Sequence, residues 1–587
     1  MGANLMERVS SPEALRALPV DALPTLAEQL RQVLIQQVCR SGGHLGPNLG
    51  MVEITIALHR VFDSPWDTLL FDTGHQAYVH KLLTGRYDGF ASLRTRGGLS
   101  GYPDRRESVH DHIGNSHAST ALSYAEGIAK GYRITGVDQR WVVAVVGDGS
   151  LTGGMAWEAL NNLGASPDLP VVIVLNDNGR SYAPTVGGLG VHLQNLRNSD
   201  QHPPQADLFT RLGLSYLGPV DGHDTVAVED ALIRACRSGR TTVVHCVTRK
   251  GNGYRPAMEH EADQMHAIGP IDPATGKSSV PGETTWTKVF GEELCELGAE
   301  RPDLVCLSAA MLLPAGLGPF AQRYPDRVFD VGIAEQHALT SAAGLAMAGL
   351  HPLVAVYSTF LNRAFDQLLM DVALHDLPVT VILDRAGITG PDGPSHHGMW
   401  DLPLLCLVPG LRAAAPRDPH QLRQLLREAV GHHSGPTALR FPKASAGDPV
   451  PALEQVGQMD ILYRSGPTDV LLVAIGTCAP VCIEAAGIVA RQGVGVTVVD
   501  PRWFSPVPQM LPDLAAAHRG VVTVEEGVET GGAGAAITHA LSAAQVRVPV
   551  RMVGLPDTFI EHGAREELLA AAGLTAEHIA ECALETL

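Results

Sequence analysis

WVVAVVGDGS (141–150), GGMAWEALNNLG (153–164) and LPVVIVLNDNG (169–179) decide the fold. Two valine-rich apolar runs flank a segment in which Ala156, Leu160 and Leu163 recur at helical spacing. Short, continuously apolar runs on either side of a helix are read as buried parallel strands of a βαβ unit. The crossover in such a unit is right-handed, so both strands end at one edge of the sheet. Asp148 follows the first strand and Asn178 the second. That puts both at the carboxyl edge, where open α/β sheets bind ligands.

The same alternation extends outward along the chain and predicts an α/β protein built from parallel sheets. A chain of 587 residues is too long for one core and suggests about three to four domains. The apolar runs set the boundaries at 1–280, 284–443 and 467–587. Residues 444–466 (ASAGDPVPALEQVGQMDILYRSG) read as a linker because they are small, polar and Pro-containing. In the second block, strands are expected near Leu304–Ser308, Val328–Gly332, Leu353–Tyr357 and Val379–Asp384. Residues 192–206 (HLQNLRNSDQHPPQA) read as a polar surface loop.

Composition narrows the function. Acidic residues outnumber basic ones by 62 to 43, a net charge of −19. A nucleic-acid binder needs a basic face, and adhesion to anionic membranes needs the same, so neither partner is expected. The start, MGANLMERVSSPEALRALPV, has no apolar h-region and reads as lacking a signal peptide. Ser341 to Tyr357 is interrupted by His351 and Pro352, and reads as a helix followed by a strand instead of a membrane span. The nine cysteines are scattered with no CxxC, which reads as free thiols in a reducing cytoplasm.

The edge residues carry the first chemical signal. An Asp carboxylate, an Asn amide oxygen and a nearby backbone carbonyl are hard oxygen ligands that suit Mg²⁺. Gly147 and Gly149 let the backbone approach a diphosphate. Gly153 and Gly154 precede a helix N-terminus, which favours anions. A lone GDG is usually only a turn. GDG followed by NDN at the end of the neighbouring strand resembles the thiamine diphosphate motif, whose final Asn is a metal ligand. The resemblance assigns the metal to Asp148, Asn178 and the carbonyl of Arg180.

A second signal lies in VFDVGIAEQHALTSAAGLAMAG, where Glu335 opens a helix after a strand. Alone it would be a carboxylate favoured by the helix dipole, worth a few tenths of a kcal/mol. With the diphosphate motif in the preceding block, it matches the carboxylate that thiamine enzymes place beside the cofactor's aminopyrimidine to activate it.

The whole chain resembles the 1-deoxy-D-xylulose-5-phosphate synthase family of transketolase-like thiamine enzymes. The resemblance rests on motifs in order: GGHLGPNLG (42–50), FDTGHQAYVHKLLTGR (71–86), SHAST (116–120), GDGSLTGGM (147–155), NDN (176–178), GPVDGHD (218–224), TRKGNGY (248–254), DVGIAEQHA (330–338), YSTFLNRAFDQ (357–367), DRAGITGPDG (384–393) and ALRFPK (438–443). The GGHLGPNLG, NDNGRSYAP and FPK variants resemble the actinobacterial branch. The family implies three α/β domains of the transketolase type, thiamine diphosphate and Mg²⁺ as cofactors, and a homodimer with its active site between the first two domains. It also implies pyruvate and D-glyceraldehyde 3-phosphate as substrates.

Residue by residue, His75, Ser116, His117, Ala118, Gly149, Ser150, Asn178 and Tyr254 match cofactor contacts, and Glu335 the activating carboxylate. His44, His266, His396, Arg385 and Asp392 match catalytic positions. Tyr357, Arg363, Arg385 and Lys443 match substrate-side positions. The residue types fit the chemistry. Carboxylate and phosphate charge calls for local cations in an acidic protein, and histidine moves protons near neutrality. The other histidines, among them His80, His110, His112 and His245, are read as structural. Tyr78, Phe360 and Phe365 are read as packing.

The chain also departs from the family. The stretch after NDNGRSYAPTVGG is shorter than usual. SAAMLLPAG (308–316) stands where PAMREGSG is common. Lys443 replaces a common Arg, keeping the charge and losing the fork. A sugar-to-sugar transketolase, a 2-oxoacid dehydrogenase component and a non-catalytic thiamine-binding paralogue are the alternatives. Pyruvate as donor separates the first, a lipoyl-domain partner the second, and loss of turnover the third.

Overall fold

The computed structural model describes residues 5–137, 139–198, 207–278 and 282–587. They fall into two compact units, Met1–Pro281 with Gly332–Ala334, and Gly282–Val331 with Glu335–Leu587.

The first unit carries one parallel sheet of β1 (Thr68–Phe71), β2 (Val142–Gly147), β3 (Val171–Asp177), β4 (Ser215–Asp221) and β5 (Thr242–Val247), in the order β1-β2-β3-β5-β4. The alternation of side chains explains the unbroken apolar runs. Val142, Ala144 and Val146 join one core, and Val143 and Val145 join another on the opposite face. The helix Gly154–Gly164 crosses between β2 and β3 and buries Ala156, Ala159, Leu160 and Leu163. The helix Thr225–Arg237 is started by Asp224, whose carboxylate accepts from the N–H groups of Val226 and Ala227 at 3.0 and 3.1 Å.

One expected loop is partly helical. Residues Gly187–Arg197 form a helix with Leu193 and Leu196 buried, so the segment read as a loop over 192–206 begins inside an element. Its anchor is tertiary, the ion pair of Arg197 with Asp177 at the end of β3. Residues 199–206 of that expected loop lie outside the described residues.

The second unit holds two sheets. One contains β6 (Leu304–Ser308), β7 (Val328–Asp330), β8 (His351–Tyr357), β9 (Thr380–Asp384), β10 (Arg412–Ala414) and β11 (Thr437–Phe441). The other contains β12 (Glu454–Val456), β13 (Met459–Ser465), β14 (Val470–Ala474), β15 (Val496–Asp500), β17 (Gly520–Val528) and β18 (Val550–Leu555), while β16 (Trp503–Ser505) joins the first of the two. Their orders are β16-β10-β11-β9-β8-β6-β7 and β12-β13-β15-β14-β17-β18.

The sheets are mostly parallel, as expected of this α/β class, with antiparallel pairs added toward the edges. β16 runs antiparallel to β10, and β13 runs antiparallel to β12 and β15. The expected linker 444–466 therefore contains a hairpin, held because Met459, Ile461 and Leu462 are buried. One apolar cluster runs from Leu307 and Val354 through Val381 to Leu471, Val499 and Ile537, so the second and third blocks share a core.

All nine cysteines are free thiols. Among the described residues, no helix is long and apolar enough to cross a membrane.

Candidate active site

In the first unit the carboxyl edge of the sheet gathers the expected metal ligands. Asp148, directly after β2, is buried, and the backbone N–H of Asn178 and the hydroxyl of Thr185 donate to its carboxylate. Burial, with Asp177 nearby, pushes its carboxyl up to about 6. Such a carboxylate gains from a cation. Asp148, the Asn178 amide oxygen and the Arg180 carbonyl form a hard-oxygen set, so these residues fit Mg²⁺. Among the described residues no cluster of three His, Cys, Asp or Glu is gathered for a metal. A cavity beside Asp148 is lined by Gly179, Pro184, Thr185, Gly190 and Arg197. The guanidinium of Arg180 donates to the carbonyls of Tyr182 and Ala262, both at 2.9 Å, which fixes this turn.

The expected diphosphate contacts lie on segments tied together by Asp72 and Ser119. Asp72 ends β1 and accepts from the N–H groups of Ser119 at 2.8 Å and Ala121 at 2.9 Å. The Ser119 hydroxyl donates to the Ser150 carbonyl at 2.6 Å. Ser116 is buried, while His117 and Ala118 are half-buried. Gly149 and Gly153 are required by close approach. A Cβ on Gly149 would sit 3.1 Å from the Ser181 Cβ, and one on Gly153 would collide with the Ser119 hydroxyl.

Three of the expected histidines meet. The rings of His44 and His75 lie 5.4 Å apart edge-on, those of His75 and His266 stack at 5.0 Å, and His44 and His266 are 5.9 Å apart. Tyr182 covers His266 at 4.0 Å. Lys250 Nζ donates to His266 Nδ1 at 2.9 Å and to the Ser181 carbonyl at 2.6 Å. Burial pushes the Lys250 ammonium down to about 7, and burial with Lys250 pushes His75 down to about 3. Burial holds His266 well below the usual histidine range. Both histidine shifts favour the neutral imidazole. Nδ1 of His75 is buried without a hydrogen-bond partner among the described residues, an orphan that a bound polar ligand satisfies.

Tyr254 does not join this cluster. Its ring belongs to the core with Leu26 and Leu30, and its hydroxyl donates to the Pro273 carbonyl at 2.8 Å. The sequence match gave it a cofactor contact; its side chain is engaged in packing.

In the second unit Glu335 starts the helix Glu335–Met347 and is buried. Burial raises its carboxyl above the usual range, and its own N–H and Arg363 offset part of that rise. The ends of β8 and β9 bring together Tyr357 and Arg385, whose guanidinium lies 3.9 Å above the Tyr357 ring. Arg385 has φ +60°, a left-handed conformation that costs an L-residue of this size about 1 kcal/mol or more. Lys443 Nζ donates to Asp392 Oδ2 at 2.6 Å, and the same oxygen is 3.7 Å from Arg385. Phe360 stacks on Tyr357 at 5.8 Å and meets His396 edge-on at 5.7 Å. Every expected residue of this unit except Glu335 and Arg363 thus sits in one chain of contacts, and Glu335 and Arg363 form a second group.

Residues not singled out from sequence also contribute. Lys250 lies inside TRKGNGY and Asp72 inside FDTGHQ, so the motifs contained them while no chemical rule pointed to them. His245, read as structural, bonds Asp177 Oδ2 at 2.9 Å through Nε2 and the Tyr216 hydroxyl at 2.7 Å through Nδ1. With Arg197 it fixes the carboxylate between the two Asn residues of NDN.

Comparison with known proteins adds the remaining evidence. A family model described as 1-deoxy-D-xylulose-5-phosphate synthase matches residues 6–206 and 200–248. The transketolase pyrimidine-binding domain matches 282–448, and the transketolase C-terminal domain matches 457–579. The chain is 56% identical over 624 residues to a 1-deoxy-D-xylulose-5-phosphate synthase of Frankia casuarinae, covering 100% of this chain and 95% of that one. It is 56% identical over 613 residues to 1-deoxy-D-xylulose-5-phosphate synthase 1 of Kitasatospora griseola, covering 98% and 94%. A solved transketolase from Campylobacter jejuni is 17% identical over 97% of this chain and 100% of that chain, with a TM-score of 0.46.

Proposed function

The chain belongs to the 1-deoxy-D-xylulose-5-phosphate synthase family, and from that premise we propose how its own residues perform the reaction. It is a transferase dependent on thiamine diphosphate and a divalent metal ion, typically Mg²⁺. It decarboxylates pyruvate and joins the two-carbon unit to D-glyceraldehyde 3-phosphate. The product is 1-deoxy-D-xylulose 5-phosphate. When bound, thiamine diphosphate supplies a carbon centre that takes up the electron pair released with CO₂.

Asp148, Asn178 and the Arg180 carbonyl hold the metal. Ser116, His117, Ala118, Gly149 and Ser150 receive the diphosphate. Glu335 shares a proton with the aminopyrimidine, a role that the burial raising its carboxyl above the usual range supports. His75 and His266 are shifted toward the neutral form, so each can accept a proton or donate an N–H to an oxygen of the reacting carbonyls; His44 and His396 are assigned the same work. Arg385 pairs with carboxylate or phosphate oxygens in bidentate fashion, with Arg363 as a second cation. Lys443, oriented by Asp392, holds the acceptor phosphate. The observation that carries this reading is the meeting of three matched histidines, from three separated stretches of sequence, in one cluster. The family also supports a homodimer acting in the cytoplasm.

The acceptor assignment is tested by Lys443→Ala. KM for D-glyceraldehyde 3-phosphate is expected to rise about tenfold, the loss of one charge-assisted contact of ~1.4 kcal/mol. KM for pyruvate should stay within about twofold, and Lys443→Arg should restore the acceptor value. Equal shifts in both KM values would remove Lys443 from the acceptor site.

A further inference from the structure

We propose that Asn48 is the positioning residue that sets His44 and His75 against each other. The Asn48 side chain is fully buried. Its Nδ2 donates to the His44 carbonyl and to the His75 carbonyl, both at 2.7 Å, and its Oδ1 accepts from the Tyr78 N–H at 2.8 Å. The amide's orientation follows from these partners, since two carbonyls can only accept and one N–H can only donate. One side chain therefore fixes the backbone from the His75 carbonyl to the Tyr78 N–H and the carbonyl of His44, although the two histidines lie in different motifs.

The turn that carries Asn48 is itself docked on the segment of the third histidine. Gly46 N–H donates to the Met265 carbonyl at 2.9 Å, and Gly251 N–H donates to the Gly46 carbonyl at 2.9 Å. Gly43 and Ile268 exchange both backbone bonds, at 2.8 and 2.9 Å. A Cβ on Gly46 would collide with the Gln264 carbonyl, so no side chain can intervene there. Asn48 thus stands where the segments of His44, His75 and the Lys250–His266 pair meet. An imidazole displaced by 1 Å loses its bond to a bound group, and small misplacements of this kind cost up to about 100-fold. Asn48 acts through the two backbone carbonyls and needs no contact with a ligand.

This inference rests on the reading of His75 as a cofactor contact, and the experiment separates the two. In the full-length protein with Mg²⁺, the dissociation constant of thiamine diphosphate is measured by fluorescence titration for wild type, Asn48→Ala, His75→Ala and the double variant. Asn48→Ala is expected to raise that constant about 30-fold, a misplacement effect within the same range. In the His75→Ala background the same change should cost threefold or less, because the group it positions is gone, as coupled sites behave in a double-mutant cycle. A purely structural role would give equal effects in both backgrounds. If His75→Ala leaves the constant unchanged, the contact reading itself falls and the inference with it. If His75→Ala weakens binding and Asn48→Ala adds to it in full or does nothing, only the inference falls. Should Asn48→Ala not fold, Asn48→Ser carries the same cycle, since its hydroxyl keeps one donor in less volume.

Discussion

Glu335→Gln is expected to lower kcat by ~10³-fold while leaving the dissociation constant of thiamine diphosphate within about threefold, the range of a positioned proton-transfer group. Gln preserves volume and hydrogen bonding and cannot hold or release the proton. Glu335 is buried at the first turn of the helix Glu335–Met347, and its carboxyl is raised by that burial. A group poised nearer neutrality than an ordinary glutamate serves proton sharing with a weakly basic ring nitrogen. The competing view is a carboxylate that merely complements the helix dipole, worth a few tenths of a kcal/mol. On that view Gln would lower the melting temperature slightly and leave kcat alone. Steady-state kinetics at saturating cofactor, beside a binding titration, separates the two.

Asp148→Asn is expected to weaken Mg²⁺ binding by about 100-fold and to remove most of the cofactor-dependent stabilisation, since hard cations of this class depend on carboxylate charge. In wild type, cofactor at 100 times its dissociation constant adds about 2.7 kcal/mol to folding stability. A hundredfold weaker complex adds only about 0.4 kcal/mol under the same conditions. Without ligands the variant should be no less stable than wild type. The Asp148 carboxylate is buried beside Asp177, and a neutral amide of the same shape removes that desolvation cost, its oxygen accepting from the Asn178 N–H and its NH2 donating to the Thr185 hydroxyl. Thermal melts with and without Mg²⁺ and thiamine diphosphate check both halves. A variant that melts early yet keeps its ligand-induced shift would make Asp148 structural.

The sequence made these two residues legible because each sits at a switch in periodicity. Asp148 ends a continuous apolar run, and Glu335 begins a helix after a short strand. β2, β3 and the helix between them could be read from valine spacing and Leu160 alone. The edges could not. β12 and β13 are polar on one side, and their pairing depends on β15, far along the chain. β16 is three residues long and is held by β10 in the other sheet of its unit. The helix Gly187–Arg197 carries three glycines and only two buried leucines, so its local signal is weak and its anchor is Arg197 on Asp177.

In the site, side chains that meet ligands follow chemical rules, and side chains that hold backbone do not. Asn48 and Asp72 act on backbone groups distant in sequence, and His245 on the distant Asp177 carboxylate, and only the folded chain shows which ones. Tyr254 is the converse case, a matched position whose hydroxyl has found a carbonyl in the core.

The most direct measurement is the product itself. Purified protein is incubated with thiamine diphosphate, Mg²⁺ and pyruvate, with and without D-glyceraldehyde 3-phosphate, while CO₂ release and sugar phosphate mass are followed. The account predicts 1-deoxy-D-xylulose 5-phosphate formed only with the acceptor, in step with CO₂. Turnover of a ketose phosphate donor with no use of pyruvate, or no turnover at all, would contradict it.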